Sequence, residues 1–149
     1  VTLAPSAKSR PLLLIDGFNL LHSVILQGRD RVNWWLPEKQ SLVVDYVGQC
    51  PGEFECWLVF DSSRSDEERP ALPVSRTQRC NPARILYAPS ADDAIVSLCE
   101  LHQERRVQVA SADRALQDRC RNHGAVRLRP WDLQELFAAP RKLDPNGDQ

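Results

Sequence analysis

The stretch "PLLLIDGFNLLH" (residues 11–22) decides the fold. Its four consecutive aliphatic residues, Leu12 to Ile15, leave no polar face, which is the pattern of a strand covered on both sides, as in a parallel sheet. Asp16, Gly17 and Asn19 then interrupt the run, and a helical pattern opens over about 18–27. A buried strand that turns directly into a helix is the first unit of an alternating α/β chain.

Outward from it the same alternation repeats. Short apolar runs recur at "CWLVF" (56–60), "ARILYA" (83–88), "VQVA" (107–110) and "AVRLR" (125–129). Helical stretches fall between them at about 37–48, 91–105, 112–123 and 131–138, and in the third of these five helices Ile95, Leu98, Cys99 and His102 follow the i, i+3, i+4, i+7 stripe of a core-facing helix. Strands alternating with helices predict a parallel sheet with right-handed crossovers, hence a three-layer α/β/α sandwich. The folded domain is expected over residues 11–138, with the polar, Pro-containing ends 1–10 and 139–149 as flexible tails.

Composition narrows the class. A chain of 149 residues with 42% hydrophobic and 26% charged residues is the size and balance of one globular domain. No apolar run approaches the roughly 20 residues of a membrane span, and "VTLAPSAKSR" lacks the apolar region of a secretory signal, so the expected setting is cytoplasmic. Five cysteines without CxxC spacing read as reduced thiols rather than a disulfide frame or a zinc site. Sixteen of the nineteen basic residues are arginine, whose planar fork suits phosphate oxygens, although a genomic bias explains the same count. The segment 62–82 carries Arg64, Arg69, Arg76 and Arg79 with little apolar pattern, either a nucleic-acid arm or a solvated insertion. Trp34 and Trp35 could stack on bases or pack on the sheet, whereas Trp57 and Trp131 read as core or core-edge residues.

The acids decide the chemistry. Asp16, Asp61, Asp92 with Asp93, and Asp113 all fall just after the predicted first four strands. The crevice outside the carboxyl ends of a parallel sheet is where such folds bind ligands. Each acid also has a plain reading, for Ser90 and Asp93 have the spacing of a capping box and isolated aspartates start turns or helices. As a set they are less comfortable: like charges 4 Å apart repel by roughly 4 kcal/mol at an effective dielectric of 20, so several carboxylates in one crevice call for a cation. Oxygen ligands without neighbouring His or Cys favour Mg2+ or Mn2+ over zinc. Such a site suits attack of an activated water on a phosphodiester. Asn19 adds a neutral amide that could orient water or phosphate, or cap the helix. Neither a phosphohydrolase nor a receiver domain fits, since the first needs a second aspartate where Phe18 stands and the second an acidic pair on the first strand.

At "LLLIDGFNLLH", "WLVFD", "SADDAI" and "VASADRALQ" the sequence resembles the NYN domains, and within them the YacP-like branch of the PIN-like nuclease superfamily, over about residues 11–137. The resemblance implies a five-stranded parallel sheet in the order 3-2-1-4-5 and a metal-dependent endoribonuclease. It matches Asp16, Asp92 and Asp113 to metal ligands, Asn19 and Asp93 to their catalytic companions, and Ser111 and Asp61 to a second tier. Where some NYN nucleases carry a further acid, this chain has Gln117, with Asp118 one residue later.

The resulting expectation is a Mg2+- or Mn2+-dependent endoribonuclease acting on single-stranded or loop RNA. Arg64, Arg69, Arg76, Arg79 and Arg114 would contact the RNA backbone, with ribosome association left open and neither a membrane nor a small-molecule cofactor involved. The competing expectation is a non-catalytic RNA- or ribosome-binding module on the same fold.

Overall fold

A computed structural model describes residues 10–27, 37–61 and 84–138. Five strands, β1 (Leu12–Asp16), β2 (Glu55–Asp61), β3 (Arg84–Ala88), β4 (Val107–Ala110) and β5 (Val126–Leu128), form one sheet in the order β3-β2-β1-β4-β5. Every pairing is parallel. The helices are α1 (Gly17–Leu20), running on into a π-helical turn (Leu21–Ile25), then α2 (Pro37–Val47), α3 (Ala91–Leu101), α4 (Arg114–Arg121) and α5 (Asp132–Ala138).

β1 shows why the sheet is sandwiched. Leu12 to Ile15 are all fully buried, yet alternate residues enter different cores. Leu13 and Ile15 join Leu20, Val24, Val43, Val47, Phe60 and Leu133, the side covered by α1, α2 and α5. Leu12 and Leu14 join Val59, Ile95, Cys99, Val109, Leu116 and Cys120, the side covered by α3 and α4. Each fully buried leucine contributes roughly 1.5–3 kcal/mol against exposure, so a polar residue at any of these four positions would strip one layer from the sheet. The three layers expected from the alternation are therefore observed.

Boundaries differ in instructive places. The third helix, expected to reach about residue 105, stops at Leu101, and His102 closes it. Arg105 is drawn away because its guanidinium donates to the Arg10 carbonyl at 2.7 Å and to Glu55 at 2.9 Å, a long-range ion pair that a continued helix would forgo. The fourth, expected from 112, begins at Arg114 because Asp113 is its N-cap and accepts from the Leu116 N–H. Its end is followed by Gly124, whose φ of 89° lies in the left-handed region that favours glycine. Trp131, expected at the core or its edge, is 47% exposed, because Leu133 takes the inward position at the start of α5.

The described cysteines, Cys50, Cys56, Cys99 and Cys120, are buried thiols outside any disulfide among the described residues, in line with the expectation. Among the described residues, no helix is long and apolar enough to cross a membrane. Trp34, Trp35 and the arginines of the 62–82 segment lie outside the described residues.

Candidate active site

The chain builds β1, then β2 and β3 to one side, and only then crosses to β4 and β5 on the other. The strand order therefore reverses between β1 and β4, and the crevice at their carboxyl ends is the expected ligand site of such a sheet. Asp16 ends β1, and Ser111 and Asp113 follow β4. Adjacent pairing of the two strands, Ile15 beside Ala110, sets these residues side by side.

Gly17 makes the turn out of β1 fit. A Cβ at this position would lie 2.6 Å from the Phe60 ring and 3.1 Å from the Val59 carbonyl oxygen. The glycine is needed for close approach to β2. Phe18 lies against the same Phe60 ring with centroids 4.9 Å apart, which holds the first residues of α1 on the sheet.

A chain of hydrogen bonds then links the two junctions. The Asp113 N–H donates to Ser111 Oγ at 3.1 Å, and the Ser111 hydroxyl donates to Asp16 Oδ2 at 3.2 Å. Ser111 is fully buried. Asn19 completes the connection by accepting the Ala112 N–H on its Oδ1 at 2.8 Å. It is not the cap of α1, a position that Asp16 occupies. Asn19 thus ties the β1 turn to the β4 turn. Behind them Gln117, buried on α4, donates from Nε2 to the carbonyls of Val109 and Ser111 at 2.9 Å and of Leu128 at 3.3 Å. The residue that stands in place of a further acid is a clamp on β4 and β5.

The electrostatics are those of crowded negative charge. Burial, followed by the field of Asp92, pushes the Asp16 carboxyl up to about 7, against the lowering effect of the Ser111 hydroxyl and the Asn19 backbone N–H, with Asp113 adding a smaller upward push. Asp92, at the start of α3, is also raised, by burial and then by Asp113; Arg119 partly offsets this, and Asp93 and Asp61 add to it. Two acids held above their ordinary range at the reversal point of a sheet are typical of a functional site.

The remaining candidates divide. Asp93 turns toward Arg119 and pairs with it at 2.9 Å, while its N–H caps onto Ser90 Oγ at 3.1 Å, the half of the capping box that the spacing promised. Asp61 is exposed and acts on Asp92 through its field. Asp113 gives one carboxylate oxygen to its cap at 3.1 Å, leaving the other available. Arg114 is exposed beside the crevice, and Arg64, Arg69, Arg76 and Arg79 lie outside the described residues. Arg119 was missed by the sequence reading. Its only linear signal is a basic residue one and a half turns into the helix that Asp113 starts, too common a feature to be noticed.

The donor set suits a hard divalent ion: carboxylate oxygens from three elements, two of them raised in pKa by crowding that a cation would relieve. Among the described residues no three His, Cys, Asp or Glu side chains are drawn together tightly enough to grip an ion as they stand. Asp16, Asp92 and Asp113 are linked here by field, and Asp16 and Asp113 also through Ser111.

Comparison with known proteins agrees with this architecture. Two crystal structures of Rae1 (YacP) from Bacillus subtilis superpose on the fold. The W164L mutant has a TM-score of 0.62 at 17% identity, covering 85% of this chain and 74% of that one. The other structure has a TM-score of 0.60 at 18% identity, covering 85% and 72%. Comparison with curated proteins gives no match. The family model of the YacP-like NYN domain matches residues 13–144, which take in β1, the crevice and every later element. With the five-stranded order, the acid at the end of β1 and that match in agreement, the chain belongs to the YacP-like NYN domain family.

Proposed function

We propose that the protein is a divalent-metal-dependent endoribonuclease that hydrolyses single-stranded or loop RNA. The family and its PIN-like nuclease fold support a nuclease-type function in general. What supports the finer reading is the charge at the crevice: Asp16, pushed up to about 7 by its burial and by neighbouring acids, costs stability that its hydrogen bonds from Ser111 and Asn19 do not offset. Such a cost is common where the site has a chemical task.

In this reading Asp16, Asp92 and Asp113 hold Mg2+ or Mn2+, which when bound stabilises charge developing on the phosphate oxygens and lowers the pKa of water. Ser111 keeps the Asp16 carboxylate oriented through its donated hydrogen bond. Asn19 holds the two strand-to-helix turns at a fixed separation, so that phosphate and water meet a preorganised wall. Asp93, with Arg119 beside it, sets the charge balance on the α3 side and helps position water and phosphate. Water is the nucleophile and the 3′-oxygen the leaving group, so the P–O3′ bond breaks and the products carry 5′-phosphate and 3′-hydroxyl ends.

Asp113→Asn tests this cleanly. Asparagine caps a helix as well as aspartate does, so the fold should be retained, while cleavage of a mixed RNA substrate in Mg2+ should drop by roughly a hundredfold or more. Chelator should abolish cutting by the wild-type chain. Equal cutting by both proteins, or 2′,3′-cyclic phosphate ends, would contradict the proposal. RNA binding with no cutting under any metal condition would instead leave the non-catalytic module.

A further inference from the structure

Beside the crevice, α4 and the outer edge of β5 enclose a pocket of about 300 Å³ lined by Arg114, Gln117, Asp118, Arg121, Ala125 and Arg127. Its position follows from the fold. Among the described residues β5 is an edge strand, paired with β4 alone, and Arg114, Asp118 and Arg121 lie at helical spacing on one face of α4. The groove shares its neighbourhood with the crevice, for Arg114 directly follows Asp113 and the lining residue Gln117 grips the Ser111 carbonyl. From Arg114 to Arg121 the helix advances roughly 10 Å.

The charge of this groove is mostly positive. Arg114 and Arg127 make no ion pair among the described residues. Arg121 meets Asp118 at 3.5 Å, with both side chains more than two-thirds exposed, an arrangement that solvent screens strongly. The belt continues past β5, where Arg127 acts on Asp132. Asp132 in turn holds the Arg129 guanidinium at 3.1 and 3.2 Å. That guanidinium lies 5.4 Å above the Trp131 ring, and Trp131 remains 47% exposed. An exposed tryptophan under an arginine, four residues along the chain from the groove residue Arg127, is a combination suited to single-stranded nucleic acid, with phosphates in the groove and a base on the aromatic face.

We propose that the groove between α4 and the edge of β5 is a track for the sugar-phosphate backbone of single-stranded RNA, with Arg114, Arg121 and Arg127 binding phosphates and Trp131 as the platform for one base. The inference rests on the ribonuclease reading of the crevice. It adds the direction in which the strand runs from that crevice, outward past β5, and predicts binding that is independent of sequence, since the protein grips phosphates and a ring face.

The test uses the full chain with fluorescent oligo(U) and oligo(A) in chelator, where cutting does not interfere, across a range of salt. An Arg121→Gln/Arg127→Gln variant should weaken both oligonucleotides by a similar factor and flatten the salt slope by about 1.4, near 0.7 for each phosphate that is no longer neutralised. The corresponding double lysine variant should recover most of that slope. Trp131→Leu should weaken binding by roughly tenfold with the slope unchanged. Arg84→Gln, on the opposite edge strand, should match wild type. A slope in the double glutamine variant equal to that of wild type, or an equal loss in Arg84→Gln, would overturn the track, and dependence on an acidic protein surface in place of RNA would do the same. Cutting of the same oligonucleotides in Mg2+ reports separately on the crevice. RNA cut normally with an unchanged slope removes the track alone, and RNA bound with the expected slope but never cut removes the nuclease reading alone.

Discussion

The two ends of the sheet treat a carboxylate in opposite ways. At the amino ends of the strands Glu55 is half-buried, yet it accepts from Trp57 Nε1 at 3.1 Å and pairs with Arg105 at 2.9 Å and Arg84 at 3.4 Å. Burial alone would raise this carboxyl, but the Trp57 hydrogen bond and the arginines outweigh it and hold it below the ordinary range. At the carboxyl ends Asp16 is also enclosed, but its neighbours are Asp92 and Asp113, and it is pushed up to about 7. One end neutralises its acid and gains stability from it. The other leaves its acids mutually repelling, which makes sense where a cation and a phosphate are to be received.

The largest test of this contrast is Asp16→Asn. Cleavage should fall by on the order of a hundredfold or more, while the metal-free fold becomes more stable. The folded-state pKa of Asp16 is raised above its unfolded value, so the folded chain binds the extra proton between about pH 4 and 7 and loses stability as pH rises through that window. A shift of this size corresponds to on the order of 2–4 kcal/mol at neutral pH. Urea midpoints in chelator at pH 5 and pH 8 should therefore converge in the variant. If wild type and variant show the same pH dependence, the crevice is not strained by charge.

Glu55→Ala probes the other end with the opposite sign. Arg105, whose side chain is only 4% exposed, would lose its carboxylate partner, at a cost of roughly 2–3 kcal/mol once the remaining solvent access of the pair is allowed for. Because the Glu55 pKa is lowered in the fold, its contribution is present above the ordinary glutamate value and fades as pH falls through the depressed one. Denaturation curves of this variant should flatten on the acid side. An unchanged midpoint at pH 7 would remove the contrast between the two ends.

Gln117→Glu sharpens it. The substitution introduces an acid at the position where some NYN nucleases carry one, but removes the amide donor to the three carbonyls of Val109, Ser111 and Leu128. The expected loss is about 2 kcal/mol, seen as a lower thermal midpoint that rises as the new carboxyl is protonated. A variant that is as stable as wild type and cuts faster would reassign position 117 from clamp to ligand. The smallest effect belongs to Ser90→Ala, which removes the cap on the Asp93 N–H and should cost about 1 kcal/mol, with amide exchange accelerating only in the first turn of α3.

Much of the fold was legible because burial writes itself into local pattern. The unbroken aliphatic run of Leu12 to Ile15 announced a strand with a layer on each face, and the stripe through Ile95 and Cys99 announced the helix that covers one of them. Helix ends were less legible where a distant partner decided them. Arg105 left its helix for Glu55, fifty residues away, and no local window contains that pair. The position of each of these acids at or just beyond a strand end was legible, but their separate contacts were not. Asp93 gained Arg119, Asn19 gained the Ala112 N–H, and Ser111 came to lie between Asp16 and Asp113.

Alone, the order of apolar and acidic residues determined a parallel α/β sheet with its carboxylates at the ends of the strands, since alternation and strand-end position are properties of neighbours along the chain. Tertiary structure decided which carboxylate is neutralised and which is left charged, where the basic groove opens, and that Trp131 faces solvent. Those outcomes depend on electric fields and packing between segments that fold together from far apart, and such distances through space are absent from a linear string.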